Sequence, residues 1–172
     1  MISVLFLWVM IENEIKNNKL FLEFTPLLKE IGILIVDVKK NVSNNYVNFI
    51  FTIGLIDGEI TVDECAKVYD LLYPRLTVVE GTRNINLEVT TPGIQRVFRD
   101  FYEFSLFKGK RVRLYDSELK NTLTGIISEV FDNSVEFTDL YNEDKDEKIS
   151  KITIAFDNIL KAKLDFKWED IK

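Results

Sequence analysis

The sequence of 172 residues is long enough for one ordinary domain or two small ones, and its apolar content of 47% can build packed cores. Three prolines, seven glycines and a single cysteine exclude a disordered or fibrous chain and an internal disulfide. The formal charge of −6 divides evenly between residues 1–98 and residues 99–172, which argues against a general nucleic-acid binder and suits a basic protein partner.

The chain starts with an apolar run, MISVLFLWVMI, in which Ser3 is the only polar residue. No Lys or Arg precedes the run, no small-residue cleavage site follows it, and about 20 apolar residues are needed to span a membrane. We therefore expect a packed first segment, or a translation start at Met10, in a chain that stays in the cytoplasm.

Two helices are predicted in the first half of the chain. Apolar residues recur at helical spacing over residues 20–31, and Pro26 within this pattern predicts a helix start near Thr25 or a kink. Residues 61–64 have the S/T-x-x-E form of a capping box and predict the start of a second helix, which Pro74 is expected to end.

Strands accompany these helices and then dominate the second half. They are predicted at residues 33–39, 46–53 and 85–89, so that helix, strand, strand, helix and strand form an α/β sandwich. Five more strands are predicted at residues 110–116, 123–131, 134–140, 148–156 and 161–166, which suggests a small five-stranded β-barrel with a bend or bulge at Gly125. We predict an α+β protein of two domains, residues 1–98 and 99–172, with the aromatic residues of segment 97–107 packing the halves together.

Four stretches of the chain carry the pattern of a known family. Residues 57–65 read DGEITVDEC, an acidic turn that leads into the second predicted helix, and residues 87–96 read LEVTTPGIQR. At the start and end of the predicted barrel, residues 107–112 read FKGKRV and residues 156–164 read FDNILKAKL. In order and spacing, these stretches resemble the bacterial ribosome maturation factor family RimP, with its LEVSSPGLDR signature, over most of the chain.

The resemblance implies an α+β amino-terminal domain and a carboxy-terminal SH3-like or Sm-like barrel. It also implies a cytoplasmic monomer that binds the immature small (30S) ribosomal subunit, with a basic small-subunit ribosomal protein and 16S rRNA as partners. The chain departs from the signature at Thr90 and Thr91, where serine is usual, at Gln95, where aspartate is usual, and at Val97, where proline is usual. Threonine keeps the hydroxyl, whereas Gln95 removes a carboxylate.

Catalytic and cofactor chemistry has little support in the sequence. The chain has no histidine, which removes the commonest general base and metal ligand and leaves the single cysteine without an activating partner. Its glycines are too scattered for a phosphate-binding loop or a dinucleotide fingerprint. We predict no catalytic residue, no cofactor and no metal, and we rank an enzyme that uses carboxylates alone below a binding protein.

Acidic residues crowd the turn before the second predicted helix. Asp57, Glu59 and Asp63, together with Glu64, are placed to hold a cation or to meet a basic partner. Acidic groups in the first turn of a helix also cap it and complement its dipole, which requires no ligand. Both interpretations stay open, and capping is the simpler one.

Lys108, Lys110, Arg111 and Arg113 form the densest basic run in the sequence. On a strand, Arg111 and Arg113 face solvent while Val112 points to the core, so the run either clamps rRNA phosphates or is only a solvated strand edge. No aromatic stacking platform is recognised beside it.

The turn Thr90-Thr91-Pro92-Gly93 is expected to shape the chain rather than to touch a ligand. Arg96, which follows this turn, carries a rigid guanidinium group. It either bridges the turn to the second domain or binds a carboxylate or phosphate of a partner.

The leading hypothesis is a non-enzymatic assembly factor that binds the immature small subunit. The basic run would contact RNA, and the acidic amino-terminal surface would contact a basic ribosomal protein. The alternative is a stand-alone RNA-binding module built on the barrel, which should bind naked RNA with a salt slope that falls when Arg111 and Arg113 are replaced by alanine.

Overall fold

The structure is a computed structural model that describes residues 11–55 and 58–166. The chain folds into two compact units. Of the described residues, those between 14 and 92 form the amino-terminal unit, and residues 93–166 together with residues 11–13 form the carboxy-terminal unit. Both units contain helices or helical turns as well as strands, so the α+β class predicted from the sequence is confirmed.

The division between the units falls after residue 92, earlier than the predicted boundary after residue 98. Phe98 is fully buried in the core of the carboxy-terminal unit, and its N–H donates to a strand of that unit at 2.9 Å. Near the start of the chain, Glu12 forms a parallel bridge with Asp100. These segments belong to the carboxy-terminal unit because their backbone groups form hydrogen bonds there and Phe98 is buried in its core.

Two helices and three strands form the amino-terminal unit. In chain order they are α1 (Lys19–Lys29), β1 (Ile33–Val42), β2 (Val47–Leu55), α2 (Val62–Glu80) and β3 (Ile85–Thr90). β1 and β2 are antiparallel, whereas β2 and β3 are parallel, so α2 is the crossover that parallel pairing requires. Among the residues that the structure describes, no helix has both the length and the apolar character to cross a bilayer.

Both helices of this unit lie on one face of its sheet. The ring of Phe24 in α1 meets that of Phe51 in β2 edge to face, with the centroids 5.8 Å apart. Lys40 of β1 forms an ion pair with Glu80 of α2 at 2.6 Å. Because side chains alternate along a strand, the opposite face of the sheet is formed by the residues between these positions.

Two prolines lie inside these helices. Asn18 caps α1, so the predicted start near Thr25 is wrong. α2 continues through Pro74, so the predicted end there is also wrong. An internal proline costs roughly 3 kcal/mol. Leu72 and Leu76 on either side of Pro74 are fully buried, and each such side chain contributes about 1.5–3 kcal/mol, which offsets that cost.

A short helix and five antiparallel strands form the carboxy-terminal unit. They are α3 (Tyr102–Leu106), β4 (Arg111–Asp116), β5 (Asn121–Val130), β6 (Ser134–Asn142), β7 (Glu147–Ala155) and β8 (Ile159–Leu164). The order of strands in the sheet is β7-β6-β5-β4-β8. The first and last strands of the unit, β4 and β8, are therefore neighbours.

The phenylalanines of segment 97–107, predicted to pack the two halves together, lie in the core of the carboxy-terminal unit or pack against it. Phe98 and Phe104 are fully buried with their centroids 4.9 Å apart, and Phe107 stacks on Phe98 at 5.4 Å. Phe104 also reaches Phe137 of β6 at 6.1 Å. A small sheet of short strands encloses little apolar area by itself, so this segment completes its core.

β5 is bulged next to Gly125, as the sequence predicted, because its register with β6 shifts between Thr124 and Ile126. A Cβ atom at position 125 would lie 2.8 Å from the Cγ of Leu140. We expect Gly125→Ala to lower the free energy of unfolding by about 1–3 kcal/mol through overpacking, measured by chemical denaturation. Gly93→Ala is the control, since no heavy atom of another described residue lies within 4 Å of its Cβ position. Equal effects of the two substitutions would contradict the close approach at Gly125.

Candidate nucleic-acid interface

β4 and β8 present basic side chains on their outward face. Val112 and Leu114 of β4 and Ala162 of β8 are fully buried in the core, so the residues that alternate with them point away from it. These outward residues are all partly exposed, and we call them the basic face: Arg111, Arg113 and Tyr115 of β4 with Lys161 and Lys163 of β8.

The strand register aligns polar side chains across the sheet. Lys163 of β8 lies opposite Arg113 of β4, and the same row continues through Thr124 of β5 to Tyr141 of β6. Directly opposed residues on neighbouring strands are roughly 5 Å apart. Two cations, a hydroxyl and a phenol therefore form one line across four strands.

Acidic residues of β6 and of the turn after it hold the two arginines of the basic face. Nη2 of Arg111 donates to Oδ2 of Asp139 at 2.7 Å, and Nη2 of Arg113 donates to Oε2 of Glu143 at 2.6 Å. The side chains of the second pair are 38% and 30% exposed. Such exposed pairs are worth about 0–1 kcal/mol each, so a phosphate can replace the carboxylates at little cost.

Arg113 also carries one unpaired hydrogen-bond donor. Its Nε is buried and has no hydrogen-bond acceptor among the residues that the structure describes. Buried donors are nearly always paired in proteins. This N–H is therefore an unsatisfied donor beside the exposed Arg113–Glu143 ion pair.

Tyr141 is fixed in orientation at the far end of the row. Its hydroxyl donates to the carboxylate of Asp146, and this hydrogen bond raises the pKa of the Tyr141 phenol above its usual 10.0. The phenol is therefore neutral at physiological pH. A fixed ring that is 38% exposed offers a stacking surface for a nucleic-acid base.

Only part of the predicted basic run lies on this face. Arg111 and Arg113 do, whereas Lys108 pairs with Glu129 of β5 at 2.6 Å. Lys110 is exposed in the turn that precedes β4. The Lys108 pair is about half exposed on both sides, at 51% and 54%, and it contributes little to stability.

Arg96 is held inside the carboxy-terminal unit by a buried carboxylate. Its Nε donates to Oε2 of Glu103 at 2.8 Å, and its Nη2 donates to Oε1 at 2.9 Å. The side chain of Glu103 has no exposed surface, and it also accepts the N–H of Arg99 at 2.8 Å. This geometry favours an internal role for Arg96 over the binding of a partner's anion.

The turn before Arg96 is closed by its own backbone, since the N–H of Arg96 donates to the carbonyl of Gly93 at 2.9 Å. Thr90 is the last residue of β3, Thr91 and Gly93 are exposed, and Pro92 is partly exposed. The turn closed by this hydrogen bond spans residues 93–96 and therefore follows the predicted turn at residues 90–93.

The acidic turn lies only partly within the described residues, because Asp57 is outside them. Glu59 and Asp63 are exposed. Thr61 and Glu64 form the predicted capping box, in which the N–H of Glu64 donates to Oγ1 of Thr61 at 3.3 Å and the N–H of Thr61 donates to Oε2 of Glu64 at 2.7 Å. In the part of the chain that the structure describes, acidic and cysteine side chains form no group of three or more suited to a metal ion.

The capping box makes the start of α2 sensitive to acid. The N–H of Thr61, and then its hydroxyl, donate to the Glu64 carboxylate and lower its pKa below the usual 4.5. Because the pKa is lower in the folded state, the stabilisation is complete above about pH 4.5 and is lost as the pH falls through the folded value.

We therefore expect the Thr61 amide proton to shift on acidification with an apparent pKa below 4.5 in NMR spectra. Glu64→Gln keeps an acceptor but cannot titrate, and it should abolish this transition. A Thr61 amide that titrates at 4.5 or above would contradict the capping contact.

Sequence analysis missed Tyr115, Lys161 and Lys163. A local signal existed, since Lys161 and Lys163 alternate with Ala162 in a predicted strand, and Tyr115 is two residues from Arg113 and shares its face. What was missing is the pairing of β8 with β4, which no local pattern reveals.

Comparison with known proteins gives one family match and several structural similarities. A family model described as the RimP N-terminal domain matches residues 23–95. An Sm-like archaeal protein from Pyrobaculum aerophilum is 16% identical over 38% of this chain and 51% of its own chain, with a TM-score of 0.35, so the match spans about half of that structure. An Sm-like protein from Archaeoglobus fulgidus is 16% identical over 37% of this chain and 89% of its own, with a TM-score of 0.34.

Proposed function

Because the chain belongs to the RimP family, we propose that it is a non-enzymatic maturation factor that binds the immature small ribosomal subunit in the cytoplasm and assists its assembly. The family match carries this proposal. By binding a partly folded intermediate better than its misfolded competitors, such a protein shifts the population toward productive assembly without any chemical step.

The basic face is the surface proposed to meet 16S rRNA. Arginine presents a planar fork that matches phosphate geometry, and both arginines here sit on a rigid strand. Lys161 and Lys163 add two more charges on the neighbouring strand, and Tyr115 and Tyr141 supply rings for stacking. This combination supports contact with single-stranded rRNA, whose bases are open to stacking.

In this proposal, Asp139 and Glu143 make the contact between the basic face and rRNA reversible. They neutralise Arg111 and Arg113 in the free chain, so RNA must compete with them. A maturation factor has to leave the finished subunit, and a face whose cations are returned to internal carboxylates on release meets that requirement.

A basic small-subunit ribosomal protein is proposed as the second partner, on the acidic amino-terminal surface. Glu59 and Asp63 support this role because they are exposed and form no ion pair with any described residue. Asp57 is proposed as part of the same surface from its sequence position.

We further propose that the five-stranded sheet forms an SH3-like or Sm-like barrel and that the chain is a monomer. The outer edge of β8 is occupied by its own chain, since Phe98 N–H donates to the Ala162 carbonyl and Leu164 N–H donates to the Arg96 carbonyl, each at 2.9 Å. That edge is therefore not available to pair with a strand of a second copy, which supports a monomer.

Deletion of the gene from its source organism tests the proposed function. We expect free small subunits with unprocessed 16S rRNA to accumulate, and the wild-type gene to reverse this. A deletion strain with a normal profile of subunits and fully processed rRNA would overturn the maturation role.

The alternative function is a stand-alone RNA-binding module, and the observation that favours it is the basic face. It predicts that the full chain binds unrelated naked RNA as tightly as it binds immature subunits. The maturation role predicts a clear preference for the subunits, so a direct competition between the two ligands separates these functions.

A further inference from the structure

The three-stranded sheet carries an open cleft on the face opposite its helices. Asn41 of β1, Asn48 of β2 and Asn86 of β3 lie side by side in register across this face. Lys39 of β1, Ile50 and Glu88 form the next row. Ile50 and Glu88 line a cleft together with the three asparagines, and its volume is about 390 Å³. That volume is within the range of small-ligand sites.

The amides of the cleft are already oriented. Nδ2 of Asn86 donates to Oδ1 of Asn48 at 3.0 Å. This contact leaves Oδ1 of Asn86 as a free acceptor position and Nδ2 of Asn48 as a free donor position on the cleft. An oriented amide acceptor loses less entropy on binding than a mobile one, which favours a polar ligand here.

The charge of the cleft selects a cationic ligand. Glu88 is exposed and forms no ion pair with a described residue, and no Lys or Arg is among the residues that line the cleft. Lys39, in the same row beyond Ile50, is two strands from Glu88 at roughly 10 Å, does not line the cleft and forms no ion pair with Glu88. A nucleic-acid phosphate beside Glu88 would therefore meet the carboxylate first, which is unfavourable. A positively charged group would gain a charge-assisted hydrogen bond to the same carboxylate.

We propose that this cleft binds an arginine side chain in an extended segment of a basic protein. The guanidinium would donate to the carboxylate of Glu88 and to Oδ1 of Asn86, while the methylene groups of the arginine lie over Ile50. A lysine ammonium has no planar fork to reach two separated acceptors at once, so arginine is preferred. The inference rests on the proposed function in taking the basic ribosomal protein as the source of this segment.

A titration of the full chain with short peptides tests this inference. The probes are an arginine-rich peptide, a lysine-rich peptide of equal length and charge, and a single-stranded RNA oligonucleotide. We expect the arginine-rich peptide to shift the side-chain amide signals of Asn48 and Asn86 in NMR spectra and to bind about tenfold more tightly than the lysine-rich one. Glu88→Gln should remove most of that difference, whereas Glu23→Gln, an exposed acid on α1, should not.

Three results would overturn the inference: amide signals that do not move with the arginine-rich peptide, equal binding of the two peptides, or larger shifts with RNA. Sedimentation of the same wild-type protein with immature small subunits separates this inference from the proposed function. Co-sedimentation with unmoved amide signals would reject the cleft alone. Arginine-specific binding in a chain that does not co-sediment would support the cleft and reject the maturation role.

Discussion

Replacing Arg111, Arg113, Lys161 and Lys163 together with glutamine should weaken binding to single-stranded segments of 16S rRNA by roughly two to three orders of magnitude near 0.1 M salt. Each phosphate contact releases counterions and contributes about 0.7 to the slope of log affinity against log salt on single strands. Loss of four contacts should therefore flatten that slope by about 3. Fluorescence anisotropy over a range of salt concentrations measures both quantities.

A matched control removes the same charge elsewhere. Lys16, Lys19, Lys29 and Lys67 are exposed in the amino-terminal unit, and their replacement with glutamine should leave most of the affinity intact. The reciprocal change, Asp139→Asn with Glu143→Gln, removes the internal anions that hold the arginines and should tighten RNA binding. Equal losses in the two quadruple variants would show that only net charge matters and would contradict a defined basic face.

Arg96→Met should lower the free energy of unfolding by about 3–5 kcal/mol. The substitution leaves the carboxylate of Glu103 buried without its cation, and a buried unpaired charge is far more costly than the pair is favourable. Denaturation in urea, followed by fluorescence of the intact chain, measures the loss.

Two further variants separate this cause from a general effect of losing an arginine. Arg83 is exposed, and Arg83→Met should change stability by no more than about 0.5 kcal/mol. Arg96→Met combined with Glu103→Leu replaces the pair with apolar side chains and should recover most of the stability. If Arg96→Met instead leaves stability unchanged and weakens subunit binding, Arg96 contacts a partner and the internal role is wrong.

Local features of the fold were predictable because neighbouring residues determine them. The capping box of Thr61 and Glu64 forms within four residues, and the bulge at Gly125 follows from a glycine in a strand. Pro74 misled the prediction because its cost is local, whereas the burial of Leu72 and Leu76 that offsets it depends on a distant sheet.

The candidate site was predictable only where it lies on one strand. The outward direction of Arg111 and Arg113 follows from the period of two along β4. Their neighbours Lys161 and Lys163, and their anions Asp139 and Glu143, come from other strands and required the order of the sheet.

Arg96 shows a different limit of sequence reasoning. Its partner Glu103 is seven residues away, beyond the i+3 and i+4 spacings that local rules cover. The sequence left a bridge from the turn to the second domain and a binding role equally open, and the burial of the carboxylate favours an internal contact.

Sedimentation of purified protein with immature and mature small subunits tests the central claim most directly. The comparison uses the wild type, the quadruple glutamine variant of the basic face and the matched amino-terminal control. We predict that the wild type and the control migrate with immature subunits and not with mature ones, and that the basic-face variant stays at the top of the gradient. Migration of all three proteins with the subunits would contradict the basic face as the contact, and migration of none would contradict the maturation role itself.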